Sequence, residues 1–482
     1  MDKSITHSIH WRQRTKIVCT LGPGVNTHAM IERLIREGMN VARINLSHGN
    51  LDEHARYIAM VRDSAERLDN SVAILADLPG PKYRTGEMQN VSAILTRNSE
   101  VVLTNRPVTG DASIIPINFP TLSQDVKVGN RILVDDGKIQ LRVKAIKGQD
   151  VICKVTVGGT LTKGRGVVVP GAAVSGPFLS AQLKTNLEFA IGQQPDYIAL
   201  SFVTQAEDVQ QVKAILKSKG SDIPVICKIE RGEAVKNFDS ILSVCEGIMV
   251  ARGDLGVEIP LQQVPMVQKD IIRKCNRAGK PVITATQMLE SMISSASPTR
   301  AEVTDVANAI LDGTDAIMLS AETSVGKYPV QSVKMMRQIA ETTERHLTHE
   351  QLIGQRSQFL ENITDELISY NAVYTAYKLK AKAVVAFTQS GFTARRVSKY
   401  RPLVPIIAIT PVQEVTGQLI LSWGVHAFQI TSPSSVEDLF RVGTNLVKKL
   451  GIVKSGDLIV ITGGVPVGVA GSTNFLKVQK ID

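Results

Sequence analysis

Short β-branched apolar runs alternate with longer amphipathic stretches from residue 16 to residue 345 of this 482-residue chain. The runs are KIVCT (16–20), VARIN (41–45), VAILAD (72–77), YIALSFV (197–203), PVICK (224–228), GIMVA (247–251), PVITA (281–285) and DAIML (315–319). Intervening segments such as HAMIERLIREG (28–38) and AEDVQQVKAILKSKG (206–220) read as helices. Strands that are apolar almost throughout belong to a parallel sheet covered on both faces. Eight of them in one series predict an α/β chain built on a (β/α)8 barrel.

The series breaks once, after the third run. Residues 85–175 carry short alternating runs and glycine turns, and VDDGK and KGQD read as hairpin connections. Without this insertion about 240 residues remain, against the ~250 typical of a barrel. A second α/β series follows, with strands AVVAF (383–387), PIIAIT (405–410), GVHAFQI (424–430) and DLIVITGG (457–464). The expected organisation is a barrel over 1–84 and 176–350, an inserted β-barrel cap over 85–175, and a C-terminal open α/β domain over 351–482.

Composition removes other classes. Hydrophobic residues make up 43% and charged residues 21%, which is globular rather than disordered or fibrous. No run is apolar for the ~18–20 residues that span a bilayer. The first residues lack the apolar core of a signal peptide, and the five cysteines are far apart without CxxC pairing. A cytoplasmic protein is expected, with no disulfide scaffold and no membrane partner. The net charge of +10 favours anionic partners, and 14 Lys and Arg against 8 Asp and Glu lie in residues 351–482. Trp11 and Trp423, the only tryptophans, are not interleaved with basic residues, so nucleic acid is not an expected partner. The spacing of His346 and His349 reads as a solvated helix end rather than a metal site.

Barrel chemistry gathers where strands end and βα loops begin. Those junctions hold Arg43, Asn45, Ser47 and His48, then Asp77, Lys82 and Arg84, then Ser201 and Phe202. Further on come Lys228 and Glu230, Arg252 and Asp254, Thr286 and Gln287, and Ser320 and Glu322. Glu230 and Asp254 follow adjacent strands, ~4.8 Å apart. Two carboxylates so placed suit Mg2+ or Mn2+ completed by water and substrate oxygens, or else they are loop acids paired with Lys228 and Arg252. Lys228, Arg43 and Arg84 bring positive charge to the same rim, as phosphoryl transfer requires. Glycines flank Asp254 in ARGDLG, as expected where backbone amides approach an anion.

The ordered set KIVCTLGP, ARINLSHG, CKIERGEAVKNFD, GIMVARGDLGVEIP, NRAGKPVITATQMLESM, PTRAEVTDVANAILDGTDAIMLSAET and GKYP resembles the pyruvate kinase family. The resemblance implies phosphoryl transfer from phosphoenolpyruvate to ADP, giving pyruvate and ATP. It implies Glu230 and Asp254 as ligands of the divalent metal, and Lys228 as the cation that stabilises the moving phosphoryl group and the enolate. Arg43 would grip the phosphate, Gly253 and Asp254 would present amides to the substrate carboxylate, and Thr286 would relay a proton through water. Asn45, Ser47, His48, Arg84 and Arg165 match positions near the nucleotide phosphates, Arg165 standing where many relatives carry Lys. The resemblance also implies a homotetramer.

The chain departs from the family at DLPGPKYR (77–84), where many relatives read DTKGPEIR. In those relatives Asn, Ser, Asp and Thr ligate potassium beside a glutamate. Here Leu78 removes the hydroxyl and Lys82 replaces the acid, so a tethered ammonium stands in for the ion and K+ should not be required. Thr388, Ser390, Gly391 and Thr393 in TQSGFTARRVSKYRP match the family's loop for a phosphorylated allosteric effector, a sugar phosphate or a nucleoside monophosphate, facing GGVPVGVAGSTN (463–474). Two other functions compete. A metal-dependent lyase acting on enolates would use the same carboxylates, and a non-catalytic binding protein would use the basic C-terminal region.

Overall fold

The structure, a computed structural model, describes residues 13–172, 175–433, 435–466 and 473–482. Eight parallel strands close on themselves: β1 (Lys16–Thr20), β2 (Val41–Asn45), β3 (Ala73–Leu78), β4 (Tyr197–Leu200), β5 (Val225–Ile229), β6 (Gly247–Ala251), β7 (Val282–Ala285) and β8 (Ala316–Leu319). They pair in chain order, and β8 returns to β1 with Lys16 opposite Ala316. Alternation along each strand divides the core in two. Val18, Val41, Leu75, Ile226, Met249, Ile283 and Met318 fill the barrel, while Ile17, Cys19, Ile44, Ile74 and Ile248 pack outward against the helices.

Local signals place the helices. His28–Glu37 starts where the Thr27 side chain accepts from the Met30 amide, and stops at Gly38, whose φ of 116° favours glycine. β4 ends at Leu200, three residues short of the apolar run, because Phe202 turns into the left-handed region with φ 58°.

Between β3 and β4 the chain forms a seven-stranded sheet and a two-stranded sheet around a core of its own that includes Tyr83, Val101, Leu141 and Val155. Asp135, Asp136 and Gly137, with φ of 52°, 55° and 86°, make the hairpin read from VDDGK. Gly148, with φ 58°, turns the next one. Tyr83 and Arg84 already pair with Val167 and Gly166, so the inserted sheet begins before residue 85.

The C-terminal sheet has five strands: β9 (Val384–Phe387), β10 (Ile406–Thr410), β11 (Val425–Gln429), β12 (Leu458–Gly463) and β13 (Phe475–Lys480). Their order is β11-β10-β9-β12-β13, with β13 alone antiparallel. Ile420 and Leu421, between β10 and β11, join the inner barrel core and seal its N-terminal end. Beside them Lys16 donates to Val425 O at 2.7 Å.

Among the described residues no helix is long and apolar enough to cross a membrane. The five cysteines are buried and free.

Candidate active site at the barrel rim

The expected side chains converge at the C-terminal ends of the strands. Lys228 on β5 is 8% exposed. Its ammonium donates to Ser201 Oγ (2.8 Å) and Asp77 Oδ1 (3.2 Å), and lies 3.0 Å from Glu230 Oε1. Burial pulls its pKa down most strongly, but Asp77 and then Glu230 outweigh that and hold it above the ordinary lysine value. Lys228 is thus a fixed cation.

Asp77 is fully buried and both its oxygens are engaged. Oδ2 accepts from Arg43 Nε at 2.7 Å, while Oδ1 serves Lys228. Arg43 Nη1 donates to Thr20 Oγ1 at 2.9 Å, which in turn donates to Leu319 O. Despite burial, the charges of Lys228 and Arg43 keep the Asp77 carboxyl below the usual range. One carboxylate therefore pins the two cations expected to meet a phosphate.

Glu230 is 1% exposed, and its Oε2 accepts from the Phe202 amide at 2.7 Å. Its pKa is raised by burial first, opposed by Lys228 and raised further by Asp254. The Glu230 and Asp254 carboxylates supply hard oxygen donors of the kind a divalent cation takes. No group of three or more His, Cys, Asp or Glu that could hold a metal occurs among the described residues.

Asp254 sits in the short helix Arg252–Glu258 and is held by Lys82, Nζ to Oδ1 2.5 Å. Lys82 also lies 5.3 Å from the centre of the Phe202 ring, and Arg231 lies 5.4 Å from it. The Lys82 ammonium is thus drawn to Asp254, while Asn45 Oδ1 accepts from the Ser47 amide at 3.2 Å.

The Gly253 amide, expected to face a substrate carboxylate, instead donates to Thr286 Oγ1 at 2.8 Å. Thr286 and Gln287 have φ of 65° and 53°. Arg252 braces this turn by donating to Thr286 O (2.8 Å) and Gln287 O (3.1 Å), itself anchored to Asp305 at 2.7 Å.

Arg84 donates to Gly164 O, and Arg165 to Thr162 Oγ1 with a second contact to Asp135 at 3.4 Å. His48 is pushed below the ordinary histidine value by burial, then by the charges of Arg84 and Arg43. Sequence reasoning missed Thr20 and Arg231. Thr20 ends β1, the one strand whose end was not read, whereas Arg231 has no signal beyond its place beside Glu230.

The expected effector residues surround the start of the helix Phe392–Lys399, which Gly391 opens with φ 81°. Thr388 and Thr393 are buried there, and Arg395 folds back onto Ser390 O at 2.7 Å. Thr393 Oγ1 is 2.8 Å from Thr473 Oγ1. Of the facing loop, residues 467–472 lie outside the described residues, as do Trp11 and the side chain of His349.

The sequence matches the family described as "Pyruvate kinase, barrel domain" over residues 12–333 and "Pyruvate kinase, alpha/beta domain" over residues 366–479. A pyruvate kinase of Geobacillus stearothermophilus is 45% identical over 473 residues, 98% of this chain and 81% of that protein. One from Staphylococcus aureus strain MRSA252 is 45% identical over 471 residues, covering 97% and 80%. The crystal structure of a pyruvate kinase from Cryptosporidium parvum superposes with a TM-score of 0.92 at 36% identity, over 98% of this chain and 97% of that one. With both family regions matched in order and nearly the whole chain aligned, the chain belongs to the pyruvate kinase family.

Proposed function

We propose that the chain transfers the phosphoryl group of phosphoenolpyruvate to ADP at the rim of the barrel, with Glu230 and Asp254 holding Mg2+ or Mn2+. The observation that carries this is the arrangement of Arg43 and Lys228 on the two oxygens of buried Asp77, with Glu230 3.0 Å from the same Lys228 ammonium. Two fixed cations beside a two-carboxylate set suit a reaction governed by positioning and charge neutralisation.

Arg43 grips the phosphate. Lys228 stabilises charge on the phosphoryl group as it leaves the enol oxygen for a terminal oxygen of ADP. Asn45, Ser47, His48, Arg84 and Arg165 hold the nucleotide phosphates. A divalent cation held by Glu230 and Asp254 would supply Lewis-acid charge to the developing negative charge of the substrate. The Asp254 amide and, once Thr286 Oγ1 turns to its relay role, the Gly253 amide receive the carboxylate. Thr286 then passes a proton from water to the enolate carbon, giving pyruvate.

Catalysis independent of K+ is part of the same reading. It is supported by Lys82, whose ammonium supplies fixed charge at the rim, and by Leu78, which has no oxygen to offer an ion. Wild-type enzyme assayed in tetramethylammonium buffer should keep its rate without K+, whereas Lys82→Glu should lose rate there and regain part of it on adding K+. Activity of the wild type that appears only with K+ contradicts the proposal.

We assign the phosphorylated effector to Thr388, Ser390, Gly391 and Thr393. They follow β9, next to β12, where the strand order reverses and ligands of open α/β sheets bind. The same assays, scanned with sugar phosphates and nucleoside monophosphates, should show a shift in half-saturation by phosphoenolpyruvate. Domains over 1–82 with 176–350, 83–175 and 351–482, the first boundary moved to Tyr83 by its pairing with Val167, a homotetramer and a cytoplasmic location complete the proposal. The tetramer draws support from exposed Leu261 and Met266, and the location from five unpaired cysteines.

A further inference from the structure

Two buried guanidiniums and one carboxylate meet where the barrel joins the C-terminal sheet. Arg356 is 4% exposed, Arg401 3% and Asp315 6%. Arg401 Nη2 donates to Gly313 O (2.8 Å) and Asn276 Oδ1 (2.9 Å), and its Nη1 lies 2.8 Å from Asp315 Oδ1. Arg356 reaches the same corner, since a Cβ on Gly313 would stand 2.7 Å from Arg356 Nη2. Asp315 is already shared, accepting from the Val282 and Trp423 amides.

Positive charge is left over. Among the described residues Arg356 Nη1, Arg401 Nε and Ser422 Oγ have no hydrogen-bond partner. Arg401 and Ser422 wall a cavity of about 10 Å3 together with Asn276, Lys280, Asp315 and Arg395. Lys280 and Arg395 donate to backbone carbonyls, so no carboxylate neutralises them through those bonds. Burial, then the neighbouring Arg401 charge, pulls the Arg356 guanidinium down to about 9. A buried charge without a counter-charge is costly, and proteins satisfy it with a partner or a bound ion.

We propose that this cavity binds one monoatomic anion of the halide class, held by Arg401 Nε and Ser422 Oγ, with Arg356 supplying a second positive charge. The space is that of one small occupant, which favours a monoatomic anion over phosphate or sulfate. The site draws together barrel residues (Asn276, Gly313, Asp315), the connecting helix His349–Arg356 and C-terminal residues (Arg401, Ser422). Its occupancy therefore stabilises the joint between the two sheets and takes no part in the chemistry at the rim.

A bromide-soaked crystal of the full chain is expected to show an anomalous peak against Arg401 and Ser422; a cavity holding only water overturns the proposal. In solution, exchanging gluconate for chloride at constant ionic strength should raise the wild-type unfolding midpoint by about 2–4 °C. Ser422→Asp, which brings its own carboxylate to the cavity, should lose that response. A wild type indifferent to chloride, or a variant that responds equally, also overturns it. Should Ser422→Asp not fold, the bromide peak in the wild type decides.

Discussion

Lys228 illustrates how burial and charge combine in one side chain. Desolvation alone would favour a neutral amine, yet Asp77 and Glu230 lie within 3.2 Å and keep the ammonium charged. The cation cannot drift, because Ser201 Oγ takes a third direction at 2.8 Å. Arg43 has a comparable pair of anchors in Asp77 and Thr20. Thr20→Val removes one of them and leaves the charge in place. We expect kcat/KM for phosphoenolpyruvate to fall about tenfold, the size of one hydrogen bond to a charged group. An unchanged kcat/KM in a folded variant means that Arg43 is positioned by Asp77 alone. The acids and bases of the rim were legible as residue types at strand ends. Their pairing was not, because which carboxylate meets which cation depends on the register of elements up to 172 positions apart.

At the scale of elements, the loop after β7 stores strain that no glycine relieves. Thr286 and Gln287 both occupy the left-handed region, at roughly 1–2 kcal/mol each. Arg252 offsets this by donating to both carbonyls from the start of the helix that follows β6. Arg252→Met should let the turn relax and move the Thr286 hydroxyl. If Thr286 relays the proton, kcat should drop at least tenfold while KM for phosphoenolpyruvate changes little. A rise in KM at constant kcat points instead to a role in binding. This strain was invisible in TATQMLESM, where the turn carries no glycine or proline. The eight apolar runs, by contrast, announced their strands, since a strand covered on both faces has no polar alternation to confuse the pattern. β13 escaped for the opposite reason: FLKVQK lies at the sheet edge with no fully buried residue.

Across the whole molecule, the inserted sheet enters at Tyr83 and Arg84, so a residue expected near the nucleotide belongs to the insertion itself. Arg165 lies on the return path beside it, where the Thr85 amide donates to Arg165 O. Motion of the insertion relative to the barrel would therefore carry both arginines together. The opposite end of the barrel is closed by Ile420 and Leu421, which ties the C-terminal sheet to the catalytic core. Sequence spacing revealed the three-part order but not this plug, because an apolar pair between two strands reads the same whether it packs at home or in a neighbour. All of these parts converge on one requirement, a fixed positive charge where enolpyruvate departs. The decisive measurement is the steady-state rate of ADP-dependent pyruvate formation by Lys228→Met, with folding verified by its unfolding midpoint. A loss of roughly 1,000-fold in kcat is expected from removing the preorganised charge; a rate equal to the wild type would contradict the account.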